Sequence, residues 1–71
     1  MKRPNMRYVG TGDYAGSVLG TALRATNGTY YGSRWVAGSY TQIATFSGLT
    51  EEEAKDWLRN DNRPGRIVRT G

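Results

Sequence analysis

The strongest constraint on the fold is a helix start that the sequence specifies at Thr50. Glu53 follows three residues later, so the Thr50 hydroxyl can accept from the Glu53 backbone N–H while the Glu53 carboxylate accepts from that of Thr50. This capping box predicts an amphipathic helix over about residues 51–60. Its apolar face consists of Ala54, Trp57 and Leu58.

Strands are predicted upstream of this helix. Residues 30–49 are rich in aromatic, β-branched and Thr residues and are interrupted by Gly38-Ser39, which favours two strands joined by a short turn. Asn27-Gly28 is the strongest short-range hairpin signal in the chain, so residues 17–26 are predicted to be a further strand. The fold class is therefore α+β, with a small antiparallel sheet of three to four strands packed against one C-terminal α-helix.

Two shorter segments extend this prediction. Residues 6–9 are expected to form an edge strand that ends at Gly10, and residues 66–70 a final short strand. Residues 1–5 have no side chains to bury and are expected to form a flexible basic arm. The chain would then be a single domain over residues 6–71.

A two-residue loop at Asn27-Gly28 would sort the side chains of the sheet onto two faces. One face is aliphatic and is predicted to pack on the helix, with Leu19, Leu23, Val36 and Ile43 as its members. The other carries rings and polar groups, namely Arg24, Tyr31, Trp35, Tyr40 and Gln42. A slip of one residue in the pairing would exchange the two faces.

The chain contains no Cys and no His among its 71 residues. Disulfides and Cys/His zinc sites are thus excluded, and the usual imidazole base and thiol nucleophile are missing. We therefore expect a protein that is not an enzyme and holds no metal. Because large aliphatic residues are few, we also expect a homodimer or a subunit of a complex. With no apolar run of about 20 residues and no signal-type segment, a cytoplasmic location is predicted.

The segment from Gly10 to Gly16 admits two interpretations. A strand followed by a glycine-rich turn resembles the opening of a dinucleotide-binding βαβ unit, whose backbone N–H groups hold a pyrophosphate. The third glycine, however, comes one residue late, and no acidic residue stands where the ribose contact is needed. A flexible glycine turn is the favoured interpretation, and no cofactor is predicted.

The net charge of +4 conceals a stronger asymmetry along the chain. Residues 51–61 carry a net −3, and the rest of the chain carries a net +7. Eight of the ten cations are Arg, whose planar guanidinium suits phosphate, guanine edges or carboxylates. A polyanion is the first partner to test, and the alternative is that the charge serves only solubility.

Part of the chain resembles known DNA-binding families. The resemblance is carried by Arg34-Trp35-Val36-Ala37, Ile43, Thr45-Phe46 and Thr50-Glu51-Glu52-Glu53-Ala54. These residues look like the sheet-to-helix passage of plant ethylene-response-factor domains, and they are also similar to the arm-type domains of phage integrases. The resemblance implies a three-stranded sheet on one helix that reads DNA with Arg and Trp.

The predicted function is nucleic-acid binding, with DNA favoured, by a protein from a phage or mobile element. The predicted contact residues are Arg24, Tyr31, Arg34, Trp35, Tyr40 and Gln42 on the sheet, with Lys2, Arg3 and Arg7 on the arm. Core packing or a dimer seam is the alternative for Tyr31 and Trp35. On this prediction, Arg34→Ala lowers affinity without changing the fold.

The competing prediction is a protein–protein interaction module. Tyr, Trp and Arg also anchor protein interfaces, so the same face would suit a phage-encoded inhibitor of a host nuclease or defence complex, of the anti-CRISPR or anti-restriction type. The dependence of binding affinity on salt concentration distinguishes the two hypotheses. Binding through several phosphates weakens steeply as salt rises, whereas an aromatic protein interface does not.

Overall fold

A computed structural model describes residues 5–70 as one antiparallel sheet with a helix on one side. The elements are β1 (Asn5–Gly10), a short 3₁₀ helix (Gly12–Tyr14), β2 (Val18–Arg24), β3 (Tyr30–Trp35), β4 (Gln42–Leu49), α1 (Glu51–Arg59) and β5 (Gly65–Thr70). The strand order is β4-β3-β2-β1-β5. The α+β class and the C-terminal helix are confirmed, but the sheet has five strands rather than three to four.

The predicted edge strand is in fact internal. β1 pairs with β2 on one side and, from Asn5 opposite Thr70 to Gly10 opposite Gly65, with β5 on the other. The final strand is confirmed, and its pairing moves β1 from the edge to the interior. Asn5 therefore belongs to the sheet rather than to the predicted arm. The remainder of that arm, with Lys2 and Arg3, lies outside the described residues.

The helix begins as the capping box predicts. The Thr50 hydroxyl accepts from the Glu53 N–H at 3.2 Å, and the Glu53 carboxylate accepts from the Thr50 N–H at 2.9 Å. α1 lies across the sheet and buries Ala54 and Leu58 in the core. A Cβ at Gly20 would stand 2.9 Å from Leu58 Cδ2, so the missing side chain lets α1 lie close to β2. The other core residues are Met6, Tyr8, Leu19, Ala22 and Tyr30.

The hairpin between β2 and β3 does not use the predicted two-residue loop. Such a turn needs a positive φ at both central residues, yet among residues 5–70 only glycines have one. The loop instead has three residues and ends at Gly28, whose φ is +89°. The Gly28 N–H donates to Ala25 O at 3.0 Å, and the Ala25 N–H donates to Thr29 O at 2.7 Å.

The extra loop residue shifts the β2–β3 register by one. Leu23 lies opposite Tyr31, and Arg24 lies opposite Tyr30. The prediction that Leu23 packs under the helix is therefore wrong, because Leu23 lies on the uncovered face. The strand prediction for residues 17–26 itself is confirmed, and it leaves no helix after the glycine turn, as a dinucleotide-binding unit would require.

The remaining aliphatic residues also fall short of the predicted core. Leu19 is fully buried, as expected, but Val36 and Ile43 are exposed. Val36 follows the end of β3, and Ile43 occupies an irregularity in the β3–β4 pairing, so neither reaches the core. Phe46 packs there instead, with its ring centroid 4.5 Å from that of Trp57. Among residues 5–70, no helix has the length and apolar character needed to span a membrane.

Candidate nucleic-acid interface on the uncovered face of the sheet

The side of the sheet opposite α1, here called the open face, carries basic, aromatic and polar side chains. The residues that strand alternation and pairing place there include Arg7, Val9, Thr21, Leu23, Tyr31, Ser33, Trp35, Gln42, Thr45, Arg66 and Val68. One row crosses all five strands, in the order Val68, Arg7, Thr21, Ser33 and Thr45. The face is therefore one continuous platform.

Side-chain hydrogen bonds connect polar groups of this platform, and one of them holds the ring of Trp35 in place. Its indole N–H donates to the Thr21 hydroxyl at 3.3 Å, and the neighbouring Gln42 amide donates to the Ser33 hydroxyl at 3.0 Å. Tyr40, in the β3–β4 loop, meets Trp35 edge-on, with ring centroids 6.5 Å apart. Its side chain is 95% exposed. The ring of Tyr40 is thus open to solvent on the sides that do not contact Trp35.

The charge on the open face is of one sign. Arg7 and Arg66 lie on it and are exposed, and none of its residues is acidic. The six carboxylates of the chain are all within the described residues and lie elsewhere: Asp13 in the 3₁₀ helix, Glu51, Glu52, Glu53 and Asp56 on α1, and Asp61 in the loop after it. The carboxylates of α1 and of Asp61 therefore lie on the helix side, with the sheet between them and the open face.

Arg34, a predicted contact residue, lies on the helix side. Its Nη2 donates to Trp57 O at 2.7 Å, and the guanidinium carbon stands 4.2 Å from the Trp57 ring centroid. Its Nε is 3.5 Å from Asp61 Oδ2. Since Arg34 joins β3 to the end of α1, we now expect Arg34→Ala to destabilise the fold, contrary to the expectation from sequence.

Asp61 and Arg63 form the centre of this helix-side cluster. Arg63 binds both carboxylate oxygens of Asp61, at 2.9 and 2.7 Å, and its Nη1 donates to Trp35 O at 2.7 Å. The Asp61 side chain is only 2% exposed. Hydrogen bonds from the Arg63 side chain hold the pKa of Asp61 below its usual range, and the same contact raises the pKa of Arg63. The cluster fixes the connection from α1 to β5.

A second helix-side group surrounds Glu51. The Tyr30 hydroxyl donates to Glu51 Oε1 at 3.1 Å, and Arg69 and Lys55 pair with the same carboxylate. The hydrogen bond from Arg69, followed by that from Tyr30, lowers the pKa of Glu51. Burial, reinforced by Glu51, raises the pKa of Tyr30. Arg69 is therefore engaged by a carboxylate, unlike Arg66 on the same strand.

The predicted contact residues thus divide into two groups. Tyr31, Trp35 and Gln42 share the open face, with Tyr40 at its end, and Arg7 joins them from β1 rather than from an arm. Arg24 and Arg34 do not, because the shifted register places Arg24 on the helix side opposite Tyr30. Arg66 was missing from the predicted set. Its alternation with Ile67 along β5 was the available signal.

Within the described residues, no group of three or more acidic, His or Cys side chains is arranged to hold a metal ion. No protein-family model matches this chain, and no curated protein and no solved structure matches it either. The resemblance to ethylene-response-factor and integrase arm domains therefore stays a prediction.

Proposed function

We propose that the protein is a binding protein, not an enzyme, and that its open face binds single-stranded nucleic acid. The observation that carries this proposal is the set of residues that share the open face with its arginines. Arg7 and Arg66 lie on a face without carboxylates that also carries the rings of Tyr31 and Trp35, two or three strands away across the sheet. Arginines that neutralise phosphates and aromatic rings that stack on bases are the two elements of single-strand binding.

The width of the sheet favours a single strand over a duplex. Five strands at a spacing of about 4.8 Å make a platform about 19 Å wide, whereas the major groove of B-DNA is about 12 Å wide. A two-stranded ribbon fits that groove, but this sheet is too broad to enter it flat. A single strand, by contrast, can lie across the platform with its bases turned to the rings.

Fluorescence anisotropy tests the proposal. A labelled 12-nucleotide single strand, as DNA and as RNA, is titrated beside a 12-base-pair duplex at 50 and 200 mM salt. We expect the single strands to bind more tightly than the duplex, with a logarithmic salt slope of about −0.7 for each phosphate neutralised. Absence of salt-dependent binding to either single strand would refute the proposal.

A protein partner is the second candidate, since two exposed apolar side chains face each other on the same surface. Leu23 and Tyr31 are cross-strand neighbours and are 38% and 43% exposed. Such a pair is typical of the centre of a protein interface. The partner would be a cytoplasmic nuclease or defence complex of a host, inhibited by a phage-encoded protein. Weak dependence of binding on salt would distinguish this candidate from the first.

The predicted homodimer has one suitable edge in the sheet. β4 and β5 are the outer strands within residues 5–70; β5 carries Arg66 and Arg69, whereas β4 contains neither a charged residue nor a proline. An edge without such groups is the one more open to pairing with another strand. We therefore propose β4 as the dimer edge, and light scattering across a concentration series, with and without Thr45→Lys, tests it.

A further inference from the structure

Two loops enclose a groove at one end of the open face. The first joins β1 to β2 and the second joins β3 to β4, and the antiparallel pairing brings them to the same end of the sheet. This tip groove has a volume of about 320 Å³ and is lined by Gly16, Ser17, Val18, Gly38, Ser39 and Tyr40. Small-ligand pockets span about 300–1,000 Å³, so the tip groove has room for one small ring system.

The lining chemistry selects a flat, uncharged ligand with polar edges. Tyr40 supplies a ring, Val18 supplies an apolar surface, and two serines supply hydroxyls. No lining residue is charged, so a free anion or cation would find no counter-charge there. The Ser39 hydroxyl shares a hydrogen bond of 2.9 Å with the Thr41 hydroxyl, which fixes it near Tyr40.

The position of the tip groove connects it to the arginines of the open face. Val18 pairs with Val9, and Val9 pairs with Arg66, so the three residues form one row across β2, β1 and β5. Two strand spacings, about 10 Å, separate Val18 from Arg66 along this row. A ligand in the groove that extended toward β5 would therefore meet a guanidinium.

We propose that the tip groove holds one unpaired nucleobase of the bound strand, with the base stacked on Tyr40 and the backbone running toward Arg66. This inference rests on the function proposed above and adds a base subsite to it. Stacking on a ring tolerates every base, because each base has a π-face. The subsite would therefore add affinity with little sequence preference.

An oligonucleotide without bases distinguishes binding of a base in this subsite from general attraction between the protein and the phosphates. Anisotropy titrations compare a labelled 12-nucleotide thymidine strand with an abasic strand that has the same phosphates. Tyr40→Ala is expected to weaken binding of the thymidine strand about 5- to 150-fold, the range for loss of one base–ring stack, and to leave the abasic strand unaffected. Tyr40→Phe should keep wild-type affinity because the ring is retained.

The control variant is Ile43→Ala, which truncates an exposed apolar side chain of β4 outside the tip groove. It should change neither affinity. If Tyr40→Ala leaves the thymidine strand unaffected, or weakens both strands equally, the base subsite is refuted while strand binding by the open face stands. If the wild-type protein binds neither strand in a salt-dependent way, both proposals fail together.

Discussion

Both sides of the sheet carry arginines and aromatic rings, but only the helix side also carries carboxylates. On the helix side, Arg34 lies over Trp57 and, with Arg63, surrounds the buried carboxylate of Asp61. On the open face, Arg7 and Arg66 have no acidic neighbour on the face. Arg34 and Arg63 therefore join elements of the fold, whereas Arg7 and Arg66 form no ion pair within the described residues.

This difference shows that a count of arginines does not locate a binding site. An Arg that donates to a buried carboxylate and to backbone carbonyls has few N–H groups left for a ligand, whatever the net charge of the protein. What decides its role is the face of the sheet on which the register places it.

The largest effect is expected for Arg63→Ala. The variant removes the guanidinium from Asp61, leaving its carboxylate with Arg34 and the backbone N–H of residue 63, and removes the donors to Trp35 O and Leu19 O. Breaking one side of a buried, hydrogen-bonded ion pair costs about 3 kcal/mol or more. That is a large part of the stability of a 71-residue domain, about 4–10 kcal/mol at typical values per residue. Urea unfolding followed by Trp fluorescence measures the loss.

Two controls accompany this variant. Arg63→Lys keeps the charge but loses the two-pronged contact with Asp61, so its free energy of unfolding should fall between those of wild type and Arg63→Ala. Arg59→Ala removes an exposed cation paired with Asp56 and should change stability little. Equal stability of Arg63→Ala and Arg59→Ala would show that the helix-side cluster does not hold the fold.

Acid should destabilise the protein through Asp61 and Glu51, two carboxylates on the helix side. The pKa of Asp61 is lowered chiefly by hydrogen bonds from Arg63, and that of Glu51 chiefly by the hydrogen bond from Arg69. Unfolding releases both carboxyls to their usual pKa values of about 4, so their stabilisation is complete above that pH and is lost as pH falls through the lower folded-state values. Unfolding midpoints from pH 7 to pH 2.5 should show this decline.

Asp61→Asn is the control for this pH dependence. The amide does not ionise in this range, so the variant should start less stable at pH 7 and lose less stability on acidification. A slope identical to that of the wild-type protein would assign the acid sensitivity to groups other than Asp61.

A smaller effect should follow from adding one methyl group on the helix side. In Gly20→Ala, the new Cβ would stand 2.9 Å from Leu58 Cδ2, and the end of that side chain must move. Over-packing of this kind costs about 1–3 kcal/mol, and the low end fits a flexible neighbour. Leu23→Ser, three residues along on the open face, should cost about 1 kcal/mol, because its side chain is 38% exposed and only the remainder is buried. A loss of about 3 kcal/mol for Leu23→Ser, the full burial value for a Leu side chain, would mean that the open face is covered, as in a dimer.

Local signals in the sequence predicted much of the fold. An error of one residue in the predicted length of the β2–β3 loop put Arg24 and Leu23 on the wrong faces of the sheet. The Thr50–Glu53 capping box, the turn at Gly38-Ser39 and the alternation of Tyr31 and Trp35 away from the helix were all predicted correctly. Asn27-Gly28 marked the right turn but not its length, because a two-residue and a three-residue loop both accept Gly28. That one residue turned Arg24 to the helix side and Leu23 to the open face.

The pairing of β1 with β5 could not be predicted from local sequence signals. Nothing near residues 5–10 indicates that β5 will pair there, since the partner lies some sixty residues away along the chain. For the same reason Arg66 and Arg7 were not expected to share a face. The Asp61–Arg63 cluster depended on the crossing of the chain from α1 to β5, and its local signal was only an Asp two residues before an Arg.

The smallest structural effect, and the sharpest functional contrast, is expected within β5 itself. Arg66→Gln and Arg69→Gln remove the same charge from the same strand, three residues apart and thus on opposite faces. Arg66 lies on the open face, whereas Arg69 pairs with Glu51 on the helix side. Neither substitution should unfold the protein, because both side chains are exposed at the surface of an edge strand.

Their effects on nucleic-acid binding should nevertheless differ. Arg66→Gln should reduce the logarithmic salt slope for a 12-nucleotide single strand by about 0.7, the value for one phosphate contact, whereas Arg69→Gln should leave it unchanged. Because the net charge falls equally in both, general attraction cannot produce this difference. Equal slopes in the two variants would mean that the strand follows total charge rather than the open face, and the separation of the two sides would then have no bearing on binding.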